Sequence, residues 1–225
     1  MPDVLTLVGS LRAASYNLAL ARAARAAAAP GLRLHLAGLH GIPVFSEDLE
    51  ADGQPAPVRN LADRILAADA LLIITPEYNF SIPGGLKNAL DWLSRDPRQP
   101  LQRCLVAVAG ATLGTGGTRQ AQAAVRHVLH GLGAHCLPLP PLEIAQASRH
   151  FDRAGRLTDP ATRAGIEDYL SHLGAWLHAA DGPVDSQPSP DRFRLPGSNL
   201  HPGATERPRE LGERAALGLG APTDR

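Results

Sequence analysis

Two stretches of this chain concentrate residue types able to hold a flat ligand that carries a phosphate. The first is Gly9-Ser10-Leu11-Arg12-Ala13-Ala14-Ser15-Tyr16-Asn17. It offers neutral donors at Ser10, Ser15 and Asn17 and a fixed positive charge at Arg12. It lies between an apolar run and an Ala-rich segment, where a strand would feed a helix. Backbone N–H groups and the helix dipole favour an anion at such a junction. Ordinary helix capping by Ser15 or Asn17, with Arg12 in solvent, would use the same residues equally well. The stretch has neither the Gly-x-Gly-x-x-Gly of a dinucleotide turn nor the Gly-Lys-Ser/Thr of a P-loop.

The second stretch runs from Pro76 to Arg95 and begins where the apolar run Ala70–Thr75 ends. Pro76 and Pro83 stiffen its loop, and Gly84-Gly85 permit close backbone approach. A stiff loop with exposed N–H groups can read the polar edge of a flat heterocycle, and Tyr78 could cover one of its faces. The simpler alternative is a strand-to-helix connection, with Trp92 and Leu93 in the core or at a subunit contact. A third stretch, Gly110-Ala111-Thr112-Leu113-Gly114-Thr115-Gly116-Gly117, is donor-rich and could approach the other rim, or serve as a plain glycine turn.

The elements needed to position these loops are legible as alternating periodicities. Val4–Val8, Leu32–Leu36, Ala70–Thr75, Cys104–Ala109 and Ala134–Leu139 read as strands, the second nearer an edge. Helices are expected over Ala14–Ala29, around Val58, Leu61 and Ile65, over Leu86–Arg95, around Val125–Leu132, and from Asp159 to Ala179. Asp159-Pro160 is a good helix start. Strand–helix alternation repeated five times implies an α/β fold, a doubly wound five-stranded parallel sheet with helices on both faces. The flavodoxin-like order 2-1-3-4-5 is favoured. Ligands of such sheets bind at the C-terminal ends of the strands, where all three loops fall. Residues 1–180 are expected to form this domain. Residues 181–225, rich in Pro, Gly and Arg, read as a disordered tail or an arm on a neighbouring subunit, with a short helix over Glu210–Leu219.

Composition narrows the function classes. The 22 basic and 22 acidic residues balance, which argues against a nucleic-acid or anionic-membrane binder. Aromatics are 4% of the chain, so Leu, Ala and Val must fill the core. Cys104 and Cys136 lack Cys-x-x-Cys spacing and read as reduced core thiols, with a disulfide or catalytic pair the lesser alternative. No apolar run approaches the roughly 20 residues of a membrane helix, and no leader is seen before the first strand; a cytoplasmic location is expected. Of nine histidines, only His127 and His130 sit one helical turn apart, which favours surface residues over a metal site. Neither a Ser/His/Asp set nor a Gly-x-Ser-x-Gly elbow is found.

Gly9-Ser10-Leu11-Arg12-x-x-Ser15-x-Asn17, with Pro76-Glu77-Tyr78-Asn79-x-Ser81-x-Pro83-Gly84-x-Leu86-Lys87-Asn88-Ala89-x-Asp91-Trp92, resembles the NADPH-dependent FMN reductase family of flavodoxin-like fold. That family includes bacterial quinone, azo-dye and chromate reductases. The resemblance spans roughly residues 3–180, and Arg119, Gln122 and Arg126 extend it. Thr112 stands where the family commonly has serine. The resemblance implies an FMN phosphate held by Ser10, Arg12, Ser15 and Asn17. It implies an isoalloxazine ring lined by Pro76, Glu77, Tyr78 and Asn79, with Ser81 assisting and Gly110, Gly114, Gly116 and Gly117 on the other side. Lys87, Asn88, Asp91 and Trp92 would support the loop or a dimer interface. It further implies NADPH (or NADH) as donor, a small acceptor such as a quinone, flavin, azo compound or metal oxyanion, ping-pong kinetics, and a homodimer or homotetramer. The rival readings are a flavodoxin-type electron carrier and an FMN-binding regulatory protein without turnover.

Overall fold

The computed structural model describes residues 1–28, 31–138 and 141–180; the expected tail over 181–225 lies outside them. The elements run β1 (Asp3–Val8), α1 (Tyr16–Ala27), β2 (Arg33–Ala37), α2 (Glu47–Ala51), α3 (Ala56–Leu66), β3 (Ala70–Ile74), α4 (Gly84–Ser94), β4 (Leu105–Ala111), α5 (Arg119–Gly131), β5 (His135–Cys136), β6 (Leu142–Ile144) and α6 (Pro160–Ala180). A short 3-10 turn covers Ala147–Arg149.

All strand pairs are parallel, in the order β2-β1-β3-β4-β5. The flavodoxin-like order is therefore present, with β2 at an edge. Side chains alternate between the two faces of the sheet. One face carries Val4, Val8, Leu72, Ile74, Ala107 and Ala109 and packs on α1 and α6. The other carries Leu5, Leu7, Leu71, Ile73, Val106 and Val108 and packs on α3, α4 and α5. Because both faces are covered, β1, β3 and β4 are almost wholly apolar, with Thr6 a buried polar exception inside β1. Among the largest fully buried side chains every one is Leu or Ile except Trp92, the core expected of a chain so poor in aromatics.

The fifth strand differs from the expected Ala134–Leu139. Only His135 and Cys136 pair in β5, with Leu137 N–H adding a bond of 2.8 Å to the Val106 carbonyl. Pro138 then has no N–H to donate, and the ladder stops. Pairing with β4 resumes in β6, from Leu142 opposite Ala109. The fifth position is thus shared by two short segments. Helix α1 begins at Tyr16 rather than Ala14, because Ser15 occupies the cap position. Helix α2 was not expected, since Glu47-Asp48-Leu49-Glu50-Ala51 has too few apolar residues to show a period. Helix α6 starts as expected: the Asp159 carboxylate accepts from Thr162 N–H at 2.7 Å.

Candidate functional site

Strands β1, β3 and β4 are neighbours, so the three loops singled out in the sequence leave the sheet side by side at its C-terminal edge. Backbone bonds join their roots. Gly9 N–H donates to the Ile74 carbonyl at 2.8 Å, and Thr75 N–H to the Ala109 carbonyl at 2.9 Å.

The loop after β1 leads into the N-terminus of α1. Ser15 Oγ caps that helix, accepting from Asn17 N–H at 3.0 Å and Leu18 N–H at 3.3 Å. Ser10 Oγ accepts from Arg12 N–H at 3.3 Å. Each hydroxyl keeps its own proton as a donor. Asn17 is buried and reaches across to β4. Its Nδ2 donates to the Ala111 carbonyl and its Oδ1 accepts from Ala111 N–H, both at 2.9 Å. The capping role weighed for Ser15 is real, while Asn17 ties the first loop to the third. Arg12 is exposed, and among the described residues its guanidinium meets no carboxylate. The first turn of α1 holds no acidic residue. His40, which the sequence did not single out, places Nε2 3.1 Å from the Leu11 carbonyl. Nothing local marks it, because the two loops meet only through the β1–β2 pairing.

The loop after β3 carries a tight turn. Tyr78 N–H donates to the Ser81 carbonyl at 3.1 Å, and Ser81 N–H returns to the Tyr78 carbonyl at 3.0 Å. The central residues Asn79 and Phe80 have φ of 49° and 61°, the pattern of a type I′ turn, in which glycine is usual and Asn tolerated. Glu77 does not project with the turn. Its Oε2 accepts from Gln120 N–H at 2.9 Å and Ala121 N–H at 3.1 Å, at the start of α5. Pro76 is buried beneath the loop.

Of the residues expected to support this loop, Asn88 and Trp92 hold a different one. Asn88 Nδ2 donates to the Pro43 carbonyl and its Oδ1 accepts from Phe45 N–H, both at 2.8 Å. Trp92 is fully buried, donates to the same carbonyl at 2.9 Å, and meets Phe45 edge to face at 4.9 Å. Lys87 and Asp91 form an exposed pair on α4.

The glycines of the third loop divide. A Cβ at Gly110 would collide with the Thr75 carbonyl and the Thr118 side chain, so this glycine lets β3, β4 and the start of α5 pack closely. Gly117 has φ of 66° beside Glu143, which pairs with Arg119 at 3.3 Å. Gly116 faces open space, and a Cβ at Gly114 would meet only Thr112 Oγ1, at 3.9 Å.

The rim is apolar. Of seven exposed large hydrophobic residues among those described, Leu11, Val44, Tyr78, Phe80 and Leu113 lie on the loops following β1 to β4. Such clustering marks a surface meant to be covered. The donors around Arg12 and the α1 N-terminus suit a phosphate, and the apolar rim suits a planar ring, so the residues present fit FMN.

The two thiols lie elsewhere, at the start of β4 and in β5. Both are free, and burial pushes Cys104 up to about 12 and raises Cys136. Among the described residues, no acidic, His and Cys cluster could hold a metal, and no helix is long and apolar enough to cross a membrane. A groove of about 460 Å³ between α1, the start of β2 and α6 lies at the opposite end of the sheet.

Comparison with known proteins agrees with this geometry. The family model for NADPH-dependent FMN reductases matches residues 2–148. The chain is 43% identical over 179 residues to an NAD(P)H-dependent FMN reductase of Pseudomonas aeruginosa, covering 80% of this chain and 97% of that one. It is 36% identical to a quinone reductase of Escherichia coli K12, covering 78% and 95%. The solved flavoenzyme NAD(P)H:(acceptor) oxidoreductase FerB of Paracoccus denitrificans superimposes with a TM-score of 0.72 at 34% identity, covering 80% of this chain and 98% of that one.

Proposed function

The chain belongs to the NADPH-dependent FMN reductase family, and we propose that it holds FMN at the C-terminal edge of β1, β3 and β4 and reduces a small acceptor with NAD(P)H. The observation that carries this reading is the α1 N-terminus: capped only by a hydroxyl, beside the exposed Arg12, and next to an apolar rim. Ser10, Arg12 and Ser15 would bind the phosphate by charge-assisted hydrogen bonds. Asn17 would hold the first loop against β4 beneath it. The backbone of Pro76–Asn79 and the Gly114–Gly117 turn would flank the ring, with Tyr78 and Ser81 beside it.

Bound FMN would supply hydride acceptance and donation. The residues around it then need only bind, orient and exclude water. Donor and acceptor would occupy the same exposed surface in turn, giving ping-pong kinetics. The exposed Tyr78 and Phe80, and the relative named quinone reductase, favour a flat quinone over a metal oxyanion. The same exposed apolar residues favour a homodimer or homotetramer. A cytoplasmic setting is part of this proposal.

The test is an absorption spectrum of the full-length protein loaded with FMN, before and after anaerobic NADPH, and again after benzoquinone. The flavin bands should bleach with NADPH and return with quinone. Bound flavin that neither NADPH nor NADH bleaches would overturn the enzymatic reading in favour of a carrier.

A further inference from the structure

Glu77 is the only charged side chain between Thr75 and Pro83, and it is turned away from the exposed turn that follows it. Thr118 occupies the cap position of α5 yet makes no side-chain capping bond. The first N–H groups of that helix are met from another loop instead, by a residue 43 positions earlier in the chain. One oxygen, Oε2, takes both bonds. We infer that Glu77 is a positioning residue whose carboxylate clasps the loop after β3 to the start of α5, so that the two walls of the site hold one spacing.

Three features give the clasp mechanical meaning. Buried Pro76 fixes the backbone on one side of Glu77, and the Tyr78–Ser81 bridge fixes it on the other. The turn in between holds two non-glycine residues at positive φ, a conformation that persists only where surroundings over-determine it. On the far side, Gln120 and Ala121 lie in the first turn of α5, separated from the Gly114–Thr118 segment only by Arg119. Whatever fixes these two amides therefore also fixes the glycine wall. The clasp has an electrostatic consequence too. A carboxylate at the α5 N-terminus neutralises its dipole, leaving the α1 N-terminus to attract an anion.

The consequence for flavin affinity rests on the FMN reading; the clasp itself does not. Amide hydrogen exchange of the full-length chain without FMN, and FMN titration, would be compared for the unaltered protein, E77A and E77Q. A Gln carbonyl oxygen can accept both N–H groups, as Oε2 does now. In E77A, exchange should quicken by about tenfold or more both at residues 119–121 and at the Tyr78 and Ser81 amides. FMN should bind about tenfold more weakly. E77Q should stay within about threefold of the unaltered protein in both measurements. Quickening confined to residues 119–121 would reduce Glu77 to a simple cap and overturn the inference. So would an E77Q variant as impaired as E77A, or unchanged FMN affinity in E77A. If E77A fails to fold, E77Q decides the matter. If the unaltered chain binds no FMN, the cofactor reading falls while the exchange data still judge the clasp.

Discussion

The N-termini of α1 and α5 open onto the same edge of the sheet and are filled in opposite ways. At α1 the cap is a neutral hydroxyl, Ser15, and the nearby charge is the exposed cation Arg12, which meets no carboxylate among the described residues. At α5 the cap is an anion, Glu77, borrowed from the neighbouring loop. Helix N-termini attract negative charge equally in isolation; what separates these two is whether the chain has already supplied it. On the proposed reading the α1 terminus is left for a ligand's anion, while the α5 terminus is taken up by structure. The glycines follow the same division, since Gly110 fills a packing need and Gly116 faces open space.

The largest effect should come from breaking the structural side. Gly110→Ala forces a methyl group against the Thr75 carbonyl and Thr118 and should cost about 3 kcal/mol or more of stability. Gly116→Ala should be nearly neutral. Urea denaturation of the two variants checks this, and equal costs would erase the division between the glycines. The smallest effect concerns a third helix terminus, that of α6. There Asp159 caps through Thr162, and hydrogen bonds from Thr162, then the contact with His150, hold its carboxyl below the ordinary range. A depressed folded value means stability that is complete above the unfolded pKa of about 3.9 and lost as pH falls through the folded one. Asp159→Asn should flatten the acid limb of the stability curve below about pH 4, and an unchanged acid limb would remove Asp159 from it.

Much of this was legible in the sequence, for physical reasons that differ by region. β1, β3 and β4 are buried on both faces, so their apolar runs announced a parallel sheet and, with it, where the loops must meet. The split of the fifth strand was hidden because hydrophobicity continues through Pro138 while hydrogen-bonding capacity does not. The cap made by Ser15 was legible because its partners are local. The bonds that the Glu77 and Asn17 side chains make were not, because their partners lie 43 and 94 residues away. Side-chain direction across such separations is decided by the fold and leaves no mark in spacing.

The central claim is that the β1 loop and α1 N-terminus receive the phosphate. The most direct test is the affinity of the full-length protein for FMN and for riboflavin, which differ only by that group, with and without Arg12→Ala. FMN should bind on the order of a hundredfold more tightly than riboflavin, and Arg12→Ala should cost FMN about 1.5–3 kcal/mol while leaving riboflavin unchanged. Equal affinity for the two flavins, or an Arg12→Ala loss shared by both, would contradict the account.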